Sequence, residues 1–113
     1  MGARSILPHR HAIDDALDAV DYYRENAGTP IAESFPLAVD EALEQVGQHS
    51  NIGSPRTAIE LDIEGIKSWS LKRFPHQIYY KVFIDHIEIC RVIHPKRDIT
   101  QAMLSRQRFQ MRL

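Results

Sequence analysis

The chain has 113 residues, a length typical of a single domain with one hydrophobic core, and we expect one domain over residues 1–113. Hydrophobic residues make up 43% and charged residues 26% of the chain, which excludes a disordered or fibrous protein. No apolar run approaches the ~18 residues of a membrane span, and the first residues lack the apolar stretch of a secretion signal. The sequence therefore predicts a cytoplasmic protein without contact to a membrane.

Charge is divided unevenly along the chain, although the formal net charge is only −1. Residues 1–50 carry nine acidic and three basic side chains, whereas residues 51–113 carry six acidic and eleven basic ones. The basic half favours an anionic partner, and two solvated faces are the alternative. The basic tail from about residue 105, "SRQRFQMRL", is either a solubilising sequence or a contact segment for nucleic acid or an acidic protein.

Two helices are predicted in the first half of the chain. Apolar residues recur at helical spacing over residues 12–26, with aspartates on the other side, and again along a second stripe after residue 30. Asp14 and Asp15 are expected in the first turn, where carboxylates complement the partial positive charge of the free amides. Gly28 fits a left-handed helix cap and Thr29 an N-cap, so the two helices form an antiparallel hairpin.

A strand pattern replaces the helical one after the loop "GQHSNIGSPR". Apolar alternation predicts four strands, and these are "TAIELDI", "IKSWSLKRF", "QIYYKVFI" and "HIEICRVI". Their short links permit only antiparallel neighbours, and "ARSILPH" could add an edge strand that ends at Pro8. The central strands are apolar on both faces, so the hairpin should cover one side of the sheet and another segment the other. A short helix is expected from Asp98, which completes an α+β fold: a helical hairpin on an antiparallel sheet of four to five strands with a short C-terminal helix.

The last predicted strand contains two side chains that need an explanation. Cys90 is the only cysteine, and its apolar surroundings favour a buried thiol that acts as a small hydrophobe. Arg91 must reach water, a carboxylate or a partner, because an unpaired buried charge is too costly to keep. Pro95 ends the strand and holds His94 in an extended conformation.

A resemblance to a known family rests mainly on residues 69–98, and more loosely on residues 12–104. The segment "RVIHPKRD", residues 91–98, is similar to a family strand that ends in a hydrophobic-His-x-x-Arg-Asp motif, and "IGSPR" stands in the place of a Gly-x-x-Arg loop. The family is ParE, within the RelE/ParE superfamily of bacterial toxins. Further positions of the likeness are Trp69, Phe74, Pro75, residues 78–82 and residues 87–89.

This resemblance implies the toxin of a type II toxin–antitoxin system, which inhibits DNA gyrase by trapping its cleaved-DNA state. A cognate ParD-like antitoxin would neutralise it, with a flexible tail that folds along the toxin and supplies carboxylates to basic side chains. We expect no cofactor, no metal site and no direct nucleic-acid binding outside the antitoxin or gyrase complex. The residues predicted to bind the antitoxin or the target are Arg73, Tyr80, Arg91, His94, Arg97 and Asp98.

The alternative is a RelE-like, ribosome-dependent mRNA endoribonuclease. Cleavage through the 2′-hydroxyl requires a base, an acid and a cation beside one phosphate, and His94, Arg91 and Arg97 would supply them. RelE-like enzymes often add a tyrosine near the C-terminal helix, whereas residues 98–113 contain neither tyrosine nor histidine. The sequence therefore favours a gyrase poison that acts by binding over an enzyme.

Overall fold

A computed structural model describes residues 4–95, apart from the side chains of Thr57, Glu60 and Leu61. The elements in chain order are β1 (Ser5–Pro8), α1 (Arg10–Asn26), α2 (Thr29–Gln48), α3 (Arg56–Leu61), β2 (Lys67–Ser70), β3 (Gln77–Val82) and β4 (His86–Ile93). Helices α1 and α2 pack as a hairpin on one four-stranded sheet, so the α+β prediction is confirmed. None of the helices within residues 4–95 is long and apolar enough to cross a membrane. The predicted helix from Asp98 and the basic tail lie outside the described residues.

The sheet is mixed, with the strand order β1-β4-β3-β2. Strands β2, β3 and β4 are antiparallel neighbours, as their short links predicted. The edge strand predicted in "ARSILPH" is present as β1, but it runs parallel to β4, with Ser5 opposite His86 and Pro8 opposite Ile89. A parallel partner is possible here because a long stretch of chain, including both hairpin helices, connects β1 to β4.

Helix α1 begins earlier than its apolar pattern indicated. The His9 side chain caps it, because the His11 backbone N–H donates to His9 Nδ1 at 3.2 Å. With Arg10 as the first helical residue, Asp14 and Asp15 fall beyond the first turn, and that prediction was wrong. The aspartates therefore do not act on the free amides of the helix start.

The link between α1 and α2 is tight. Gly28 has a φ of 96°, a left-handed conformation that a side chain would strain, as the sequence predicted. Thr29 is not the N-cap: Gly28 holds that position, Thr29 is the first residue of α2 and Pro30 the second. The proline is tolerated there because the first amides of a helix have no partner inside it.

Both faces of the sheet are covered, as the doubly apolar strands predicted. The main core lies under the helical hairpin, and its largest fully buried side chains include Phe35, Ile78, Tyr80, Ile87 and Ile89. On the opposite face a smaller cluster contains Ile63, Ile66, Tyr79, Cys90 and Ile93, with Ala58 of α3 packed against it. The Cys90 thiol is 0% exposed, so the prediction of a buried cysteine is confirmed.

The segment "TAIELDI" is helical, and its prediction as a strand was wrong. Pro55 stands at the N-cap of α3 in a helical conformation, and Asp62 ends the helix with a left-handed φ of 55°. Ile59 is 83% exposed, although a half-buried strand would have turned it inward. The period-two pattern misled because Ala58, rather than Ile59, faces the core.

Tyr80 anchors the loop after α2 to the sheet. Its ring is fully buried, its hydroxyl accepts the Gly53 backbone N–H at 2.8 Å, and the same hydroxyl donates to Ser50 O at 3.2 Å. Burial raises the pKa of Tyr80, so its hydroxyl keeps its proton. A Cβ atom on Gly53 would collide with this hydroxyl and lie 2.8 Å from Ser68 O.

Replacing Gly53 with alanine should therefore lower the free energy of unfolding by about 1–3 kcal/mol, measured by urea denaturation. Tyr80→Phe should cost about 1–3 kcal/mol on its own, because the Gly53 N–H loses its buried acceptor. In the Tyr80→Phe background the penalty of Gly53→Ala should shrink, since the colliding oxygen is gone. An equal penalty in both backgrounds would contradict this packing.

Candidate functional site

A buried ion pair joins α1 to β4. Arg91 Nε donates to Asp15 Oδ2 at 2.7 Å, and Arg91 Nη2 donates to Asp15 Oδ1 at 2.8 Å. The Val92 backbone N–H donates to Asp15 Oδ2 as well, at 3.0 Å. Asp15 is 8% exposed and Arg91 is 7% exposed. The hydrogen bond with Asp15 raises the pKa of Arg91. Asp15 thus satisfies both a charge and a backbone donor.

The backbone of β4 explains why this pair forms. Tyr80 lies opposite Ile89 and Tyr79 opposite Arg91, so Cys90 is an extra residue that forms a β-bulge. A bulge redirects the side chains beside it. Strand β1 pairs with β4 only as far as Ile89, and the Asp15 carboxylate accepts the Val92 N–H beyond that point. Beyond the end of β1, the Asp15 carboxylate therefore replaces β1 as a hydrogen-bond acceptor for the edge of β4.

Sequence reasoning missed this pair, because Asp15 is one of several aspartates on a helix with a polar face. A signal was nevertheless present. The buried residues of α1 are Ala12, Asp15 and Ala19, and their spacing places Asp15 on the inward stripe of the helix. The sequence predicted that Arg91 must reach water, a carboxylate or a partner, and the structure shows the carboxylate of Asp15.

The residues predicted to bind a partner are dispersed. Tyr80 and Arg91 are buried in the fold, whereas Arg73 is exposed in the turn between β2 and β3, with a left-handed φ of 72°. His94 is half-buried at the end of β4. Arg97 and Asp98 lie outside the described residues. The binding roles of all six stay predictions.

A polar groove of about 460 Å³ lies beside α1, where β4 ends. We define this polar groove by Asp18, Tyr22, Tyr23, His76 and His94, which are among its lining residues. The ring of His76 lies 5.1 Å from that of His94, edge to face. His76 is 7% exposed, and burial, with a further contribution from His94, lowers its pKa to about 4. The ring is therefore neutral at pH 7, and its Nδ1 has no hydrogen-bond partner within residues 4–95.

Three histidines near the sheet, His76, His86 and His94, are chemically able to act in RNA cleavage, and they lie in two places. His76 and His94 share the polar groove, whereas His86 begins β4 at the opposite end of the β3–β4 pair. His86 Nδ1 lies 2.8 Å from the Asp85 carboxylate, and this hydrogen bond lowers the pKa of Asp85. His86 also stacks on Phe83 at 4.7 Å. His86 therefore cannot act on the same phosphate as His94.

An apolar groove of about 250 Å³ runs between α1 and α2. We define the apolar groove by its lining side chains Ile13, Leu17, Val20, Phe35, Val39 and Leu43. Ile13 is 42% exposed and Leu17 is 59% exposed, so two large aliphatic side chains of α1 reach solvent beside it. Apolar groups in this position favour contact with the apolar face of another molecule.

A helical hairpin on a four-stranded sheet, with a groove along the hairpin, is the architecture expected of the RelE/ParE class of small toxins. The family model described as "ParE toxin of type II toxin-antitoxin system, parDE" matches residues 6–99, and the chain belongs to this family. The family resemblance read from the sequence is thereby confirmed.

One solved structure, titled "Chromosomal ParDE TA system from P. aeruginosa", contains a similar chain. The sequences are 23% identical, the TM-score is 0.69, and the match covers 81% of this chain and 96% of that one. This likeness establishes the shared fold. A search of curated proteins found no significant match.

Proposed function

We propose that this ParE family toxin inhibits DNA gyrase in the cytoplasm by binding, and that a ParD-like antitoxin neutralises it. The observation that carries the proposal is the family match over residues 6–99, which names the toxin of the parDE system. Inhibition by binding needs a surface and no catalytic groups, and two features of the site support this over the ribonuclease.

The first feature is the state of the groups that RNA cleavage would use. His76 has a pKa of about 4, so at pH 7 it carries no second proton to donate to a leaving group. The second feature is Arg91, whose Nε and Nη2 are already engaged by Asp15. A guanidinium held by an internal carboxylate is poorly placed to stabilise the charge of a phosphate in reaction.

The apolar groove supports an antitoxin that docks as an amphipathic helix. Ile13 and Leu17 are one helical turn apart on α1, a spacing that matches apolar side chains on a partner helix. Asp14 and Asp18 lie next to them on the exposed side of α1 and complement basic residues at the margins of such a helix. Arg73 is exposed and offers a cation to a carboxylate of the antitoxin chain outside the apolar groove.

Replacing Leu17 with glutamate should weaken binding of the cognate ParD-like antitoxin about 30-fold, or roughly 2 kcal/mol, because a carboxylate would enter an apolar contact. Leu37→Glu is the matched control, since Leu37 is 68% exposed on α2 and does not line the apolar groove. Isothermal titration calorimetry gives both affinities, and circular dichroism checks the fold. Equal affinities of the two variants would place the antitoxin on another surface.

The target is tested with purified gyrase and, in parallel, with mRNA on programmed ribosomes. We expect gyrase-dependent cleaved DNA, loss of supercoiling activity and intact message. Arg73→Ala should reduce the gyrase effect without changing stability, since Arg73 is exposed and outside the core. Cleaved message with unaffected gyrase would contradict the proposal, and loss of that cleavage in His94→Ala would assign the chain to the ribonuclease branch.

A further inference from the structure

The two helices that border the apolar groove differ in charge, and α1 is the more balanced of them. Asp14 Oδ1 lies 3.4 Å from Arg10 Nε, and Asp21 Oδ1 lies 3.1 Å from Arg24 Nη1. Asp18 belongs to the other side of α1, where it lines the polar groove. The acidic groups of α1 nearest to the apolar groove therefore already have cations of their own helix beside them.

Helix α2 borders the same groove with carboxylates alone. It contains four acidic residues and no lysine, arginine or histidine. Glu41 points away from the groove, because its carboxylate lies 3.5 Å from Nζ of Lys72, which follows β2. Glu33, Asp40 and Glu44 are exposed and form no ion pair among residues 4–95, and Asp40 lines the apolar groove itself. The α2 side of the groove is therefore negative and unneutralised.

The three free carboxylates of α2 form one line along the margin of the groove. Asp40 follows Glu33 by seven positions and Glu44 follows Asp40 by four, which places all three on one side of the helix. The line is about 16 Å long at 1.5 Å per residue. The neighbouring residues Val39 and Leu43 line the groove. A helix lying in the groove would thus have apolar contacts beneath it and negative charge along one flank only.

This asymmetry matters because apolar contacts alone do not fix how a docked helix is rotated about its axis. Exposed ion pairs add little to affinity, but opposite charges select one orientation and speed the encounter of two partners. A basic side chain that faced α1 would meet carboxylates that arginines already engage, whereas one that faced α2 would meet free carboxylates. The charges therefore favour a single rotation of the occupant.

We propose that the acidic margin of α2 orients the antitoxin helix in the apolar groove, with lysine or arginine on the flank that faces Asp40 and Glu44. This inference rests on the proposed docking of the antitoxin in that groove and adds the chemistry of the docked segment. The segment is an apolar stripe with basic residues one helical turn apart on one flank. An antitoxin with acidic residues at those positions is rejected, because like charges would face each other across the interface.

Reversal of one charge tests the orientation. Asp40→Lys should weaken binding of the cognate ParD-like antitoxin about 10-fold, mainly through slower association, and surface plasmon resonance measures both rates. At 1 M salt, where the screening length is about 3 Å, the difference from the parent should largely disappear. Lysine is a good helix former, so α2 should persist, and circular dichroism checks this. Glu64→Lys is the matched control, since Glu64 is exposed in the loop between α3 and β2 and undergoes the same change of charge.

A compensating change identifies the partner side chain. In complex with the Asp40→Lys toxin, replacement of the antitoxin's lysines and arginines by glutamate, one at a time, should reveal one position that restores affinity. Equal binding by Asp40→Lys and Glu64→Lys, a weakening that persists at 1 M salt, or the absence of any restoring position overturns the inference. If Leu17→Glu weakens binding while Asp40→Lys does not, the groove remains the docking site and only the orientation is wrong. No effect of Leu17→Glu would overturn the docking site and this inference together.

Discussion

Replacing Asp15 with alanine should lower the free energy of unfolding by about 3–5 kcal/mol, because it removes the carboxylate that pairs with the buried charge of Arg91. The Val92 N–H would lose its acceptor at the same time, which adds to the cost. A domain of this size has about 5–15 kcal/mol of stability in total, so the variant should approach the limit of folding. Urea denaturation, monitored by circular dichroism, measures the change in the free energy of unfolding.

Asp14→Ala is the matched control on the same helix. Its carboxylate is 54% exposed and lies 3.4 Å from Arg10, so its loss should cost no more than about 0.5 kcal/mol. The double variant Asp15→Leu with Arg91→Met should recover much of the loss, because both charges are then removed. Similar small losses for Asp14→Ala and Asp15→Ala would contradict a structural role of the pair, and would favour a binding role for Arg91.

Acid should destabilise the protein through His76. The pKa of His76 is about 4 in the folded chain and close to 6.5 in the unfolded chain, so the unfolded chain binds the proton more tightly. The stability that the neutral ring contributes is complete above pH 6.5 and is lost as the pH falls towards 4. Between pH 7 and pH 4 this loss amounts to about 3 kcal/mol.

The experiment compares unfolding free energies at pH 7 and pH 4 in the parent and in His76→Gln. The charged and titratable groups that act on His76 are His94, which opposes its protonation, and Asp15, which favours it. Tyr23 packs near the ring and stays neutral throughout this range, because burial raises its pKa. His86→Gln is the control, since His86 lies at the other end of the β3–β4 pair. Equal losses in the parent and in His76→Gln would show that other groups cause the acid sensitivity.

The parts of the fold that the sequence predicted are those that local periodicity determines. The apolar stripes of α1 and α2 have helical spacing, and the strands from β2 to β4 alternate with short links between them, so their order and direction follow from local rules. The failures occur where tertiary contacts outweigh the pattern. "TAIELDI" alternates like a strand, but Ala58 packs on the small cluster while Ile59 stays in solvent, and a short helix satisfies that contact.

The candidate site was less predictable because its partners are far apart along the chain. The sequence indicated that Arg91 must reach water, a carboxylate or a partner, but nothing local selects a carboxylate, or Asp15 from the other aspartates of α1. Only the position of β4 under α1, together with the bulge at Cys90, selects it. The burial of His76 likewise depends on rings that come from α1, α2 and the end of β4. A local sequence pattern contains no information about contacts between side chains from such distant segments.

The pairing of β1 with β4 has a consequence for the order of events during synthesis. Asp15 and Arg91 are 76 positions apart, and the paired residues of β1 and β4, such as Ser5 and His86, are 81 positions apart. The helical hairpin leaves the ribosome well before β4 does, and its apolar face has no sheet to cover until then. A fold rich in such distant contacts closes late and slowly. The nascent chain therefore cannot present the folded toxin surface until almost all of its described residues have been translated.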